Sequence, residues 1–388
     1  MKEIGIYVHI PFCKQKCKYC DFNSFANKGE YIEKYVKCVQ KEIKNVGDRV
    51  RLNSNGDYTN LPIAKTIYIG GGTPSFIDEK YIEDILKTIE TNFEIDKNIE
   101  VTIEINPGTV NLEKLKKYRD IGINRLSIGL QTSNNNLLKL IGRIHNYEQF
   151  LQTINLAKTV GFKNINVDTM IGLPNQTIYD VEDTLNKLIN LDVTHISVYS
   201  LIVEEGTEIK KEIQNGSLTL PDEELERYMY WFAKRKLEES GYMHYEISNF
   251  AKIPYRSKHN VDCWNQREYI GFGVSASSYE NNIRYRNIDS IEEYIKNIEN
   301  EKEIKNVIVE EKQNKQTKMN EYMILGLRKI NGVSITEFRR KFELSPLQVY
   351  NKELTRLLRE GLINIDTNNI RLSKKGLDLA NIVWEEFI

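Results

Sequence analysis

The sequence is short of cysteine, of long apolar runs and of net charge, and each shortage excludes something. Only 5 of 388 residues are cysteine. A chain of this length buries a core that stands without covalent staples, so stability is not what the thiols are for. No apolar run approaches the roughly 20 residues that a bilayer span requires, and no charged-then-apolar leader pattern opens the chain. Lys and Arg number 54 against 55 Asp and Glu, a net charge of -1. No global field therefore draws the protein to nucleic acid or to an acidic membrane, and a nucleic-acid partner is not expected. These absences set the expectation of a cytoplasmic protein, where thiols stay reduced and clustered cysteines suggest a metal.

What is present is an alternation. Apolar, β-rich segments at 4–10, 65–70, 99–105, 123–128, 164–170 and 194–201 read as strands. Helical stretches lie between them; in 31–46, Ile32, Tyr35, Val36, Val39 and Ile43 follow helical spacing. Strands alternating with helices predict right-handed crossovers and a parallel sheet, six units being most of a barrel. Residues 47–62 are rich in turn formers and read as a surface insertion. The rhythm changes after about residue 205, where 222–240 looks like an amphipathic helix. From 315 onward the order is three helices, a short β-ribbon and a helix, punctuated by Gly332 and Gly361, which suits a small winged-helix-like domain. The expected division is 1–205, 206–314 and 315–388. Residues 315–388 carry 13 Lys and Arg against 9 Asp and Glu; without a basic or aromatic stripe, docking or lid duty is expected there rather than DNA binding.

Cys13, Cys17 and Cys20 form C-x3-C-x2-C directly after the first strand. Three thiols cannot complete a four-ligand structural zinc site unless a distant Cys or His joins them. They do suit a 4Fe-4S cluster whose fourth iron is left for an exogenous ligand, one thiolate per ligated iron. Cys38 lies on the flank of the apolar stripe of helix 31–46 and reads as a packed small residue.

The cysteine motif resembles that of the radical S-adenosylmethionine (SAM) superfamily. That likeness implies a partial (β/α)6 barrel, a 4Fe-4S cluster on Cys13, Cys17 and Cys20, and SAM at the unique iron as the source of a 5'-deoxyadenosyl radical. Gly70-Gly71-Gly72-Thr73-Pro74 at the second strand's end, joined to Tyr7-Val8-His9-Ile10-Pro11-Phe12, is similar to the oxygen-independent coproporphyrinogen III oxidase family and its relatives. The resemblance implies SAM contacts from Gly71, Gly72 and Thr73, from Tyr7 and Tyr19, and from Glu104, Gln131, Arg143 and Asp168. The residue types make sense: carboxylates accept from ribose hydroxyls or an ammonium, and Arg pairs with a carboxylate. Any one polar residue at a strand end could simply meet water; four matches in order point to a site.

Two features separate this chain from the oxidases of that family. Phe22 stands where they carry a further Cys, and few residues precede the first strand. With Tyr19-Cys20-Asp21-Phe22-Asn23-Ser24 and His259-Asn260-Val261-Asp262-Cys263-Trp264, the chain resembles instead the haem chaperones of the HemW type. This branch implies haem, bound and handed to an acceptor protein not yet identified, membrane-associated acceptors included, with a homodimer left open. His259 is the candidate axial imidazole and Cys263, standing where the branch has Tyr, a candidate thiolate on the same helical face. A lone His near Trp is more often a structural hydrogen-bonding residue, so both readings of His259 stand. Coproporphyrinogen III dehydrogenation, with loss of propionate carboxyls, is the alternative activity, and a DNA-binding iron-sulfur regulator the third.

Overall fold

The computed structural model describes residues 2–53 and 62–388. Six strands, β1 (Glu3–Ile10), β2 (Ile63–Gly71), β3 (Glu94–Ile105), β4 (Arg125–Gln131), β5 (Asn164–Ile171) and β6 (His195–Ser200), lie side by side with every neighbouring pair parallel. The helices between them are α1 (Ile32–Asn53), α2 (Glu79–Asn92), α3 (Leu112–Asp120), α4 (Asn135–Leu140), α5 (Tyr147–Val160) and α6 (Ile178–Asn190). This is the predicted α/β arrangement of a partial (β/α)6 barrel. Helix starts are fixed locally: the Asn146 and Thr177 side chains accept from backbone N–H groups of α5 and α6 while Gln149 and Asp180 bond back, closing a capping box at each.

Strand alternation determines what faces the barrel. Along β4, Leu126, Ile128 and Leu130 are fully buried against helices, among them Phe150, Ile154 and Ala157 of α5. The other residues of the strand, Arg125, Ser127, Gly129 and Gln131, take the inner face, since successive side chains alternate. The same period places Tyr68, Glu104, Asn166, Asp168, Ser197 and Tyr199 inside, where they line a common cavity. Parallel barrels whose inner faces are apolar pack solid; the polar inner face here leaves room for a ligand.

One expectation needs correction. The insertion expected at 47–62 does not begin at 47, because α1 continues to Asn53. Gly47 is not a breaker: a Cβ there would stand 2.9 Å from Cβ of Asn92, so its lack of a side chain lets α2 close on α1. Residues 54–61 of that segment lie outside the described residues.

The sheet continues on both sides. Beyond β6 come β8 (Asn249–Ala251) and β7 (Met243–Glu246), antiparallel; beyond β1 comes β9 (Tyr269–Phe272), parallel to it, then β10 (Ser277–Glu280), β11 (Ile283–Asn287) and β12 (Val307–Lys312). Between these two extensions, helix α8 (Lys258–Trp264) passes beneath the barrel: its first backbone N–H groups, of Lys258 and His259, donate to the Glu100 carboxylate on β3. Residues from 315 onward build a separate core around Met323, Leu327, Phe338, Leu357, Ile370 and Val383. There three helices, Lys315–Leu327, Ile335–Phe342 and Asn351–Arg359, meet a three-stranded antiparallel sheet, the winged-helix-like order. Gly332 adopts φ +69°, and a Cβ on it would stand 2.0 Å from the Ile370 carbonyl oxygen. The long helix α7 (Glu223–Glu239) meets this part through Trp231, whose Nε1 donates to Asp378 at 2.9 Å.

Candidate active site

The cysteine loop leaves β1 at Pro11 and is closed at its base by a two-residue parallel ladder, Phe12–Cys13 against Phe25–Ala26. Its far side is pinned to the end of α4: the Lys18 N–H donates to the Ile141 carbonyl at 3.1 Å. Gly142, at φ +77°, lets this approach happen, since a Cβ would stand 3.1 Å from the Lys18 nitrogen. The loop therefore has both ends and its middle fixed to the barrel rim.

Each thiol has a polar neighbour. Thr73 Oγ1 donates to Cys13 Sγ at 3.5 Å, and Arg143 Nη1 to Cys17 Sγ at 3.5 Å; Ser24 Oγ lies 3.9 Å from Cys20 Sγ. Thr73 is oriented in turn by Asn106 Nδ2 at 2.8 Å, and Arg143 by Asn106 Oδ1 at 2.7 Å and the Gly129 carbonyl at 2.6 Å. Burial pushes the Cys13 and Cys20 thiols up from their ordinary values. Among the described residues no three His, Cys, Asp or Glu side chains converge as ligands of a single metal ion do. Thiols spread around one cavity, with a guanidinium and hydroxyls at hand for thiolate charge, fit a cubane with one sulfur per iron.

The glycine turn forms the opposite wall. A Cβ on Gly72 would stand 2.9 Å from the Pro11 carbonyl carbon and 3.0 Å from Cys13 Sγ; one on Gly71, at φ +114°, would stand 2.6 Å from His9 Cε1. Only bare backbone fits between loop and strand. Next to it Glu104 accepts from Tyr68 OH at 2.9 Å and from the Gly71 N–H at 3.1 Å. Desolvation, reinforced by the Asp168 charge, pushes the Glu104 carboxyl up to about 7. Asp168 accepts from Asn166 at 2.8 Å and Ser127 at 3.3 Å, and desolvation pushes it up as well. Gln131 ends β4 at φ +76°, a left-handed conformation uncommon for a side chain of this kind.

All the residues expected at cluster and SAM, except Tyr7, line one cavity of about 140 Å³. Tyr7 stands behind it, its ring 6.3 Å from that of Tyr68 and its hydroxyl 2.9 Å from His9 Nδ1. The His9 Nε2 in turn meets the Asn23 carbonyl at 3.0 Å, so this histidine braces the cysteine loop. Donor set, glycine wall and carboxylates together suit a cluster and a small zwitterionic cofactor.

The haem candidates sit elsewhere. His259 is 8% exposed on α8 beneath the barrel, its Nδ1 2.8 Å from Thr66 Oγ1 and its ring 5.3 Å from that of Tyr68. Burial pulls its imidazole down to about 4. Cys263 is desolvated beside Asp262, which pushes its thiol up to about 12 and disfavours a thiolate. Neither side chain lines the cavities of the barrel; His259 is packed beneath them, and Cys263 keeps partial exposure. Asn106, Tyr68, Ser127 and Asn166 were not singled out from sequence; inward phase, shared with Glu104 and Asp168 and carried one residue past the end of β3 at Asn106, is the signal that identifies them.

Comparison with known proteins agrees with this geometry. Residues 7–188 match the radical SAM superfamily and residues 313–379 the HemN C-terminal domain. The chain is 36% identical over 387 residues to the haem chaperone HemW of Lactococcus lactis, covering 100% of this chain and 98% of that one. Against HemW of Bacillus subtilis it is 36% identical, covering 98% of each. Among solved structures, coproporphyrinogen III oxidase (HemN) of Escherichia coli superimposes with a TM-score of 0.84 at 21% identity, covering 100% of this chain and 90% of that one, a likeness of fold. With two relatives matched from end to end and the superfamily's cysteine loop in place, the chain belongs to the HemW family within the radical SAM superfamily.

Proposed function

We propose that the protein is a haem chaperone: it holds a 4Fe-4S cluster on Cys13, Cys17 and Cys20, binds SAM alongside, takes up haem and passes it to an acceptor protein. The observation that supports this best is the end-to-end likeness to curated haem chaperones, at 36% identity. Phe22 in place of the oxidases' further cysteine points the same way.

In this reading Arg143 neutralises thiolate or SAM carboxylate charge, Glu104 and Asp168 receive ribose or ammonium donors, and Gly71 and Gly72 admit the methionine end. Tyr7 acts from behind, through Tyr68 and His9. Cluster and SAM, when bound, supply reductive C–S cleavage chemistry. Five free cysteines, three of them at the cluster position, suit a reducing compartment, and we place the protein in the cytoplasm. No helix among the described residues is long and apolar enough to cross a membrane. A membrane-associated acceptor would be met at the protein's surface, and self-association as a homodimer is part of the proposal to be measured.

The test is handover. Haem-loaded protein is expected to activate an apo-haemoprotein faster than the same concentration of free haem. Activation no faster than free haem, together with conversion of coproporphyrinogen III to protoporphyrinogen under anaerobic, reducing conditions with SAM, would reassign the protein to the decarboxylase activity.

A further inference from the structure

A second cavity, of about 440 Å³, opens from the same mouth and runs down inside the barrel. Its volume is in the range of small-molecule sites. Arg125, at the start of β4, lines it while being only 2% exposed. Among the described residues this guanidinium takes part in no ion pair and no hydrogen bond, and its buried Nε has no partner. A buried guanidinium with no direct partner is costly and rarely kept without a use.

The acids of the cavity act on Arg125 through space, Glu104 and Asp168 among them, but none forms an ion pair with it. Glu104 is engaged by Tyr68 and Gly71, Asp168 by Asn166 and Ser127, and neither comes within ion-pair distance of Arg125. From below, Asn260 of α8 reaches the same cavity. It neighbours His259, so the His-Asn pair of the motif closes the floor beside Arg125. At the mouth, Phe22 and Ile202 line the cavity and are 61% and 68% exposed, with Asp21 and Glu204 beside them. Among the described residues Arg125 is the one cation lining this cavity, and with no direct partner it is free to receive a carboxylate from a ligand whose apolar body meets Phe22 and Ile202.

We propose that the barrel interior is the seat of the carried porphyrin, a propionate carboxylate being received by Arg125 and Asn260 at the floor and the ring lying against Phe22 and Ile202 at the mouth. This rests on the haem reading for the identity of the ligand, though not for its charge. His259 then holds the floor through Thr66 and leaves the iron to another ligand.

The experiment compares haem, haem dimethyl ester and iron-free coproporphyrin III as probes, titrated into the anaerobic, cluster-loaded full chain and into its Arg125→Met variant. Wild type is expected to bind the ester about thirtyfold or more weakly than haem, the scale of losing one buried charge-assisted pair. Arg125→Met should weaken haem by a similar factor, and esterification should then cost the variant little more. Equal wild-type binding of haem and its ester would overturn the seat, as would an esterification penalty that persists unchanged in the variant; the first needs no substitution to fold. Binding of coproporphyrin III that depends on Arg125, with none of haem, would support the seat and overturn the haem-carrier reading. Binding of neither porphyrin would overturn both.

Discussion

Glu104→Gln should make the stability of the cofactor-free protein rise relative to wild type as pH rises. In the folded protein the Glu104 carboxyl is pushed from its ordinary 4.5 up to about 7, desolvation being the main cause and Asp168 the second. Between those values the folded chain holds a proton that the unfolded chain has released, so wild-type stability falls as pH climbs through this window. At about 1.4 kcal/mol for each pH unit, the full deficit is about 3 kcal/mol and is complete above pH 7. The amide of the variant does not ionise and escapes it. Glutamine also gives up one of the two acceptor contacts, to Tyr68 OH or the Gly71 N–H, an offset of about 1 kcal/mol that is the same at every pH. Urea unfolding of both proteins under anaerobic, reducing conditions from pH 5 to 8.5 isolates the pH-dependent part. About 0.8 kcal/mol of the deficit is already present at pH 5, so the variant should gain about 2.5 kcal/mol on wild type across the series. Parallel stability curves would refute the reasoning, and would mean that water already solvates this carboxylate.

Gly72→Ala would push a methyl against Pro11 and Cys13 Sγ; the cofactor-free protein should lose about 1–3 kcal/mol and retain less iron on reconstitution, measured by iron analysis. Arg143→Ala strips donors from Asn106 and the Gly129 carbonyl and should cost about 2 kcal/mol or more in urea unfolding, with the cluster bleaching faster in air. His259→Ala should destabilise by about 2–3 kcal/mol while leaving the haem absorption spectrum unchanged; a changed spectrum would restore the axial-ligand role. Because the imidazole titrates near 4 when folded, wild type loses stability as pH falls from about 6.5 to 4, and His259→Ala should lose less over that interval.

The fold was legible because its signals are local and repeated. Six β-rich runs at crossover spacing became β1 to β6, and the apolar stripe from Ile32 to Ile43 became α1. The start expected for the insertion at 47 was too early because a glycine that admits a neighbouring helix and one that belongs to a turn look alike in sequence. The extensions beyond β1 and β6 were not legible, since β7 to β12 are short and the pairs that join them to the barrel, β9 with β1 and β8 with β6, span long separations in sequence. At the site, Cys13, Cys17 and Cys20 were readable from spacing, and the glycine turn and rim residues from family resemblance. Arg125 was not: within a strand it reads as an ordinary inward or edge residue, and only the folded barrel shows that no side chain bonds to it directly. His259 was visible as a motif, but its position beneath the barrel depends on where α8 crosses, a property of tertiary packing.

The central claim is that this barrel carries haem, and an anaerobic titration of haem into the cluster-reconstituted protein, followed by absorption, tests it most directly. Saturable uptake close to one haem per chain is the predicted result. A linear response with no saturation, as haem partitions non-specifically, would contradict it.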